Sequence, residues 1–176
     1  MRFVALDTET TGMNKKRNGD QVCAGHRVIE IGCVEIIGKK VSGRQFHTFC
    51  NPGRGIDPGA VRVHGLTDEI VKTAPLFRDV AKGLVDFIGG STLIIHNARF
   101  DIAFLDQEFT TLPKELQPVG LFTFIDTLEL AREAFPFNKN DLDSLCSRGG
   151  VGGRGGAHGA LIDAKLLADV FLTFFC

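Results

Sequence analysis

The run Phe3-Val-Ala-Leu6 is apolar at every position and then breaks off at two acids, Asp7 and Glu9. A strand that rests one face on a core alternates apolar with polar residues, so a run without alternation is expected to be buried on both faces. Residues 28–37 (Val-Ile-Glu-Ile-Gly-Cys-Val-Glu-Ile-Ile) read as a second strand, and residues 44–50, ending before Asn51-Pro52-Gly53, as a third. Short connections favour antiparallel neighbours among these three. After Pro75 the apolar residues Phe77, Val80, Ala81, Leu84, Val85 and Ile88 recur at helical spacing, and Gly89-Gly90 closes that helix. Residues 93–95 then read as strand, 98–109 as helix and 122–125 as a further strand, followed by helices near 126–134, 141–147 and 159–175. A three-strand meander followed by strand–helix alternation predicts an α/β domain with a mixed sheet. With 176 residues, no internal repeat and no linker-like stretch, one domain over 1–176 is expected.

Composition narrows the function classes mainly by exclusion. Twenty Lys and Arg face 21 Asp and Glu, a formal charge of −1, so no strong basic field advertises a nucleic-acid partner. A hydrophobic share of 44% with 15 Phe excludes a disordered chain. Trp and Tyr are absent, so stacking on a ligand falls to Phe or His. The five Cys (23, 33, 50, 146, 176) are odd in number and lack CxxC spacing, which argues against a disulfide framework or a zinc site and for a reducing compartment. No apolar run approaches the roughly 18 residues of a membrane span, and the N-terminus lacks a secretory signal's apolar region. A soluble cytoplasmic domain is therefore expected.

Six of the ten residues from Ser147 to Gly156 are Gly, and Gly150-Val-Gly-Gly-Arg-Gly155 satisfies the GxGxxG spelling. A dinucleotide loop needs a buried strand before it; here the preceding residues read as helix. No Lys-Ser or Lys-Thr follows to make a phosphate-cradling loop. The stretch is expected to be a surface loop.

The acids carry more. Residues i and i+2 of an extended chain point to one face, about 6.6 Å apart. Asp7 and Glu9 so placed can share divalent ions separated by ~4 Å, although a solvated strand end reads the same in isolation. Asp163 falls on the buried side of the last helix, between Val170 and Phe174, away from the polar arc of Lys165, Asp169 and Thr173. A carboxylate there is costly unless paired, hydrogen-bonded or metal-bound. His158 lies five residues earlier; placed before the first helical turn, after the glycine loop, it can swing over the same site. Asp101 follows strand 93–95 near the next helix start, where periodicity does not separate a helix-terminus role from a ligand role and the residue taken alone favours the helix terminus.

Taken in order, Leu6-Asp-Thr-Glu-Thr-Thr-Gly-Met13, Val28-Ile-Glu-Ile-Gly32, Val63-His-Gly65, Ile95-His-Asn-Ala-Arg-Phe-Asp101, Asp126-Thr127, Asn140-Asp-Leu-Asp-Ser-Leu-Cys146 and His158-Gly-Ala-Leu-Ile-Asp163 resemble the DEDDh 3′–5′ exonuclease family, most closely its epsilon branch, the proofreading subunits of bacterial DNA polymerase III. The resemblance covers nearly the whole chain. It implies a ribonuclease H-like fold, a five-stranded mixed sheet flanked by helices. It further implies that Asp7, Glu9, Asp101 and Asp163 hold two magnesium or manganese ions and that His158 is the general base. Thr10, Gly12 and Met13 match the segment lining the terminal nucleotide's pocket in that family, and His64, Asn97 and Phe100 match residues bordering it.

The implied reaction is hydrolysis of the last phosphodiester at a single-stranded or mismatched DNA 3′ end, releasing nucleoside 5′-monophosphates. An ion lowers the pKa of the attacking water while a second stabilises the leaving oxygen, and a His with an unperturbed pKa near 6.5 can take the water's proton. The resemblance also implies a polymerase catalytic (alpha) subunit as partner. Epsilon subunits continue into a tether where this chain stops at Phe174-Phe175-Cys176, which leaves an excised core and a shorter relative as readings. Lys15, Lys16 and Arg17, after the first motif, are candidate phosphate contacts, with a solvated charged loop the plainer alternative. Glycines stand where relatives carry bulkier residues in the loop before His158. An exoribonuclease, a non-catalytic nucleic-acid or subunit-binding module, and a dinucleotide-binding protein are the competing functions. Two divalent ions would neutralise four acids, leaving 20 basic residues against 21 less 4 acidic ones, a formal +3. The near-zero total then averages an acidic centre with a mildly basic surround.

Overall fold

A computed structural model of the chain describes residues 1–14, 22–118 and 122–176. Lys15, Lys16 and Arg17 lie outside the described residues. Five strands, β1 (Arg2–Thr10), β2 (Val28–Ile37), β3 (Lys40–Phe49), β4 (Thr92–Ile95) and β5 (Phe124–Asp126), form one sheet in the order β3-β2-β1-β4-β5. β1–β2 and β2–β3 are antiparallel, β1–β4 and β4–β5 parallel. The mixed sheet expected from the sequence is present, with β1 at its centre.

Seven helices, α1 (Pro58–His64), α2 (Asp68–Lys72), α3 (Phe77–Ile88), α4 (Ala98–Thr110), α5 (Thr127–Ala134), α6 (Leu142–Gly149) and α7 (Ala160–Phe174), complete the described fold. On one face Val4, Leu6, Ile31, Leu93 and Ile95 pack against Ala81 and Leu84 of α3 and Phe104 and Leu105 of α4. On the other, Phe3, Ala5, Val34, Ile36 and Ile94 lie beneath Leu145 of α6 and Leu167 and Phe171 of α7. Val4, Ala5 and Leu6 are wholly buried, as an unalternating run between two helical layers requires. Each fully buried Leu or Ile contributes about 1.5–3 kcal/mol over leaving it in water, so the helices are held to the sheet by both faces of β1.

Two strand ends lie several residues from the sequence reading and two short helices escape it, for identifiable reasons. β1 does not end at Leu6 but continues through Thr10, because its backbone goes on pairing with β2 after the apolar run stops. β3 starts at Lys40 rather than residue 44; its first half is exposed, and an edge strand needs backbone partners, not apolar side chains. α1 and α2 are short and carry few apolar residues, so periodicity passes over them. α1 nevertheless has terminal signals, Pro58 in its first turn and Gly65 at its end with φ 74°. The glycine stretch begins inside α6 and continues as loop, with no strand before it. No helix among the described residues is long and apolar enough to cross a membrane.

Candidate active site

Asp7 and Glu9 leave the same face of β1, opposite Gly32 and Glu30 of β2. That face carries α7. A Cβ on Gly32 would stand 2.3 Å from the backbone of Ala160 and Leu161, so the absent side chain is what lets the start of α7 touch the sheet. Asp163, in the first turn of α7 and 3% exposed, is thereby set over the β1 carboxylates. The buried side inferred from helical spacing is the side it occupies.

Asp101 comes from the opposite layer. It sits in the first turn of α4, and its Oδ1 accepts from the Thr8 backbone N–H (3.0 Å) and from Thr8 Oγ1 (2.7 Å). Thr8 alternates to the α4 face, so the strand grips one acid through the residue between its own two. The start of α4 is placed by Asp126, whose Oδ2 accepts from Ala98 N (2.9 Å) and whose Oδ1 accepts from Asn97 N (3.0 Å) and Leu128 N (2.9 Å). One carboxylate thus caps both α4 and α5. The sequence pointed to Asp126 without a role; its role is to orient.

His158 stands two residues before α7, and its Nδ1 lies 3.3 Å from Asp163 Oδ2. The pair meets because Gly159 between them is extended and α7 begins only at Ala160. Arg154, which sequence reasoning passed over, reaches in from the glycine loop. Its Nε donates to Asp163 Oδ1 (2.5 Å) and its Nη1 pairs with Asp143 of α6. Asp7, Glu9, Asp101, Asp163, His158 and Arg154 line one cleft of about 200 Å³ at the carboxyl ends of the parallel strands β1 and β4, with Asn97 and Phe100 also in its wall. Arg154 is the only Lys or Arg among those lining it.

The cleft is short of positive charge. Burial, then the nearby charges of Asp101, Glu9 and Asp163, holds Asp7 well above the ordinary carboxyl range. Burial, with Asp163, Glu30 and Asp101, pushes Glu9 up to about 8. Burial pushes Asp101 up to about 7, outweighing the two hydrogen bonds from Thr8 that favour its anion. Arg154 acts the other way on Asp7 and Glu9 without restoring either. Glu9, His158 and Asp163 each present one ligand atom within 4.8 Å of the others. An oxygen-rich, under-neutralised set of this kind fits hard divalent cations.

A second cavity of about 640 Å³ adjoins the first and shares Glu9 and Phe100 with it. Thr10, Gly12, Met13, His64 and Phe100 all line it, so five of the six residues expected around a nucleotide converge there. The sixth, Asn97, opens on the carboxylate cleft instead. Gly12 has φ 138°, and a Cβ on it would meet Asp57 and His26 at 2.8 and 2.9 Å. His64 is buried and works through both ring nitrogens: Nδ1 accepts from Leu66 N (3.0 Å), which leaves Nε2–H to donate to Thr10 O (3.2 Å). Burial lowers its pKa, in keeping with that neutral tautomer. It is a brace for the pocket wall.

Comparison with known proteins agrees with this geometry. The family described as Exonuclease matches residues 4–171. The chain is 44% identical over 173 residues to the DNA polymerase III subunit epsilon of Pasteurella multocida, covering 98% of this chain and 67% of that protein. It is 43% identical over 177 residues to the subunit epsilon of Escherichia coli, covering 98% and 70%. The chain thus spans about two thirds of the length of the epsilon subunits it matches. Among solved structures, exonuclease X in complex with 5′-overhanging duplex DNA superposes with a TM-score of 0.71 at 24% identity, covering 97% of this chain and 89% of that one. The nuclease domain of 3′hExo, a DEDDh family member bound to rAMP, superposes at 0.76 with 16% identity, covering 97% and 90%. These two likenesses establish a shared ribonuclease H-like fold. DEDDh exonucleases depend on divalent metal ions, the chemistry the carboxylate cleft suits. This chain belongs to the exonuclease family, as a 3′–5′ exonuclease alongside the epsilon subunits of DNA polymerase III.

Proposed function

We propose that this chain proofreads DNA: it hydrolyses the last phosphodiester at single-stranded or mismatched 3′ ends and releases nucleoside 5′-monophosphates. The observation that carries the reading is the adjoining pair of cavities, one lined by four carboxylates and His158, the other by Thr10, Gly12, Met13, His64 and Phe100. Asp7, Glu9, Asp101 and Asp163 would hold two divalent ions, magnesium or manganese. When bound, such ions lower the pKa of the attacking water and stabilise the charge on the leaving oxygen. Phe100, shared by both cavities, and the pocket segment Thr10–Met13 would hold the terminal nucleotide so that its phosphate faces the carboxylates. Asp163 engages Nδ1 of His158, so Nε2 is the nitrogen that takes the proton of the attacking water. The water oxygen bonds to phosphorus, the bond from phosphorus to the 3′ oxygen breaks, and that oxygen takes up a proton.

A mismatched terminus frays at lower free-energy cost than a paired one, and a pocket that admits one unpaired nucleotide turns that difference into selectivity. The names of the relatives support a replicative polymerase as partner, with the catalytic alpha subunit the expected contact. Five free cysteines support a reducing, cytoplasmic setting. The test is a time course with magnesium on a 3′-mismatched primer, a matched primer and single-stranded RNA of the same sequence, each with and without the polymerase catalytic subunit. Faster loss from the mismatched DNA end than from the other two supports proofreading; faster loss from RNA makes the chain an exoribonuclease. Binding of DNA without turnover, with divalent ions present, would mark a non-catalytic module.

A further inference from the structure

Glu30 is a buried acid beside the cleft that the four-carboxylate reading leaves unused. It faces Glu9 directly across β1–β2 and is 5% exposed. A fifth metal carboxylate is the obvious thought, but both of its oxygens are engaged. Oε1 accepts from His47 Nε2 of β3 (2.7 Å), and Oε2 accepts from the backbone N–H of Ala160 (3.1 Å). Ala160 is the first residue of α7, whose N-cap is Gly159, a residue with no side chain to satisfy the helix's open donors. Glu30 supplies from another strand the cap that Gly159 lacks, and puts a carboxylate at the positive end of a 15-residue helix.

The consequence falls on His158. Upstream of it, a Cβ added at Gly150, Gly152, Gly153, Gly155 or Gly156 would meet nothing within 4 Å, so between Val151, which packs on the α6–α7 core, and His158 the loop is tied down chiefly by Arg154. The backbone at His158 is fixed at two points: its own N–H donates to Val63 O of α1 (3.2 Å), and Ala160 N–H, two residues on, donates to Glu30. We propose that Glu30 is a positioning residue that sets where His158 stands over the cleft. The inference rests on His158 being the general base.

The test compares Glu30→Gln, which keeps an acceptor for Ala160 N–H, with Glu30→Ala, which removes it, each alone and combined with His158→Ala. Glu30→Ala is expected to lower kcat by about 10–100-fold, the scale of a small misplacement of a catalytic group, with KM and manganese affinity by calorimetry near wild type. Glu30→Gln should restore most of the rate, and amide exchange at Ala160 should be fast in the Ala variant and slow in the Gln variant. In the His158→Ala background Glu30→Ala should cost little more, since it acts through the missing ring. An additive loss in that background overturns the proposal, as does a fall in manganese affinity that parallels the fall in rate. If Glu30→Ala does not fold, the Gln variant decides: a folded Gln variant as slow as His158→Ala also overturns it. A His158→Ala enzyme of unchanged rate removes the base assignment itself, an outcome distinct from any failure of the Glu30 variants.

Discussion

His158 and Asp163 are five residues apart, too far round a helix to share a face, yet they stand 3.3 Å apart because Gly159 is extended and the helix begins only after it. Replacing His158 by Ala removes the proposed base and leaves the four carboxylates in place. A rate loss of about 100-fold or more is expected, with manganese binding by calorimetry retained; an unchanged rate would sink the base assignment. Arg154 supports a second prediction. It neutralises Asp163 from the glycine loop, so it competes with a cation for Oδ1. Arg154→Gln should tighten manganese binding by about 5-fold or more, the lower end of ordinary coupling between two sites. Weaker binding in calorimetry would mean that Arg154 orients Asp163 for the ion. Asp7, Glu9 and Asp163 drew notice by spacing and residue type, and they and His158 gained roles only through the family resemblance, whereas Arg154 was hidden because a cation in a glycine loop looks like any solvated side chain.

At the scale of elements, the site depends on how closely α7 approaches β1 and β2. Gly32 permits that approach, and Gly32→Ala would force backbone against a methyl group at 2.3 Å. The expected cost is at least the roughly 1–3 kcal/mol of an overpacked core, read as a lower denaturant midpoint with unchanged slope. An unaltered midpoint would show that α7 can lift off the sheet without loss. Thr8 shows the complementary arrangement: by alternating to the other face it ties α4 to the strand that carries Asp7 and Glu9. The long elements were legible because apolar periodicity marks them. α1 and α2 were not, since five- and seven-residue helices with few buried side chains leave almost no periodic signal.

For the molecule as a whole, the acids of the cleft link stability to pH. Glu9 has an ordinary value of 4.5 and is raised to about 8, Asp101 rises from 3.8 to about 7, and Asp7 is raised as well. Between those limits the folded protein keeps protons that the unfolded chain has already lost. As far as these groups decide it, stability of the metal-free protein should therefore be highest below their ordinary values of 3.8 and 4.5 and fall as pH rises to about 7 and 8. Divalent ions stabilise the ionised forms and should flatten or reverse the fall. Melting temperatures from pH 5 to 9, in chelator and in excess magnesium, check both signs; a metal-free midpoint that climbs over that window contradicts the burial argument.

What the sequence determined by itself is local: a strand apolar at every position, two acids on one of its faces, an acid on the buried side of the last helix. Those are matters of period within a few residues, and short-range geometry enforces them. Only the tertiary structure decided that Asp101 joins from the other helical layer, held by Thr8 93 positions away, and that Glu30 caps α7 across 130 positions. Such contacts arise from which faces are buried against each other, a property of packed layers that no single segment contains.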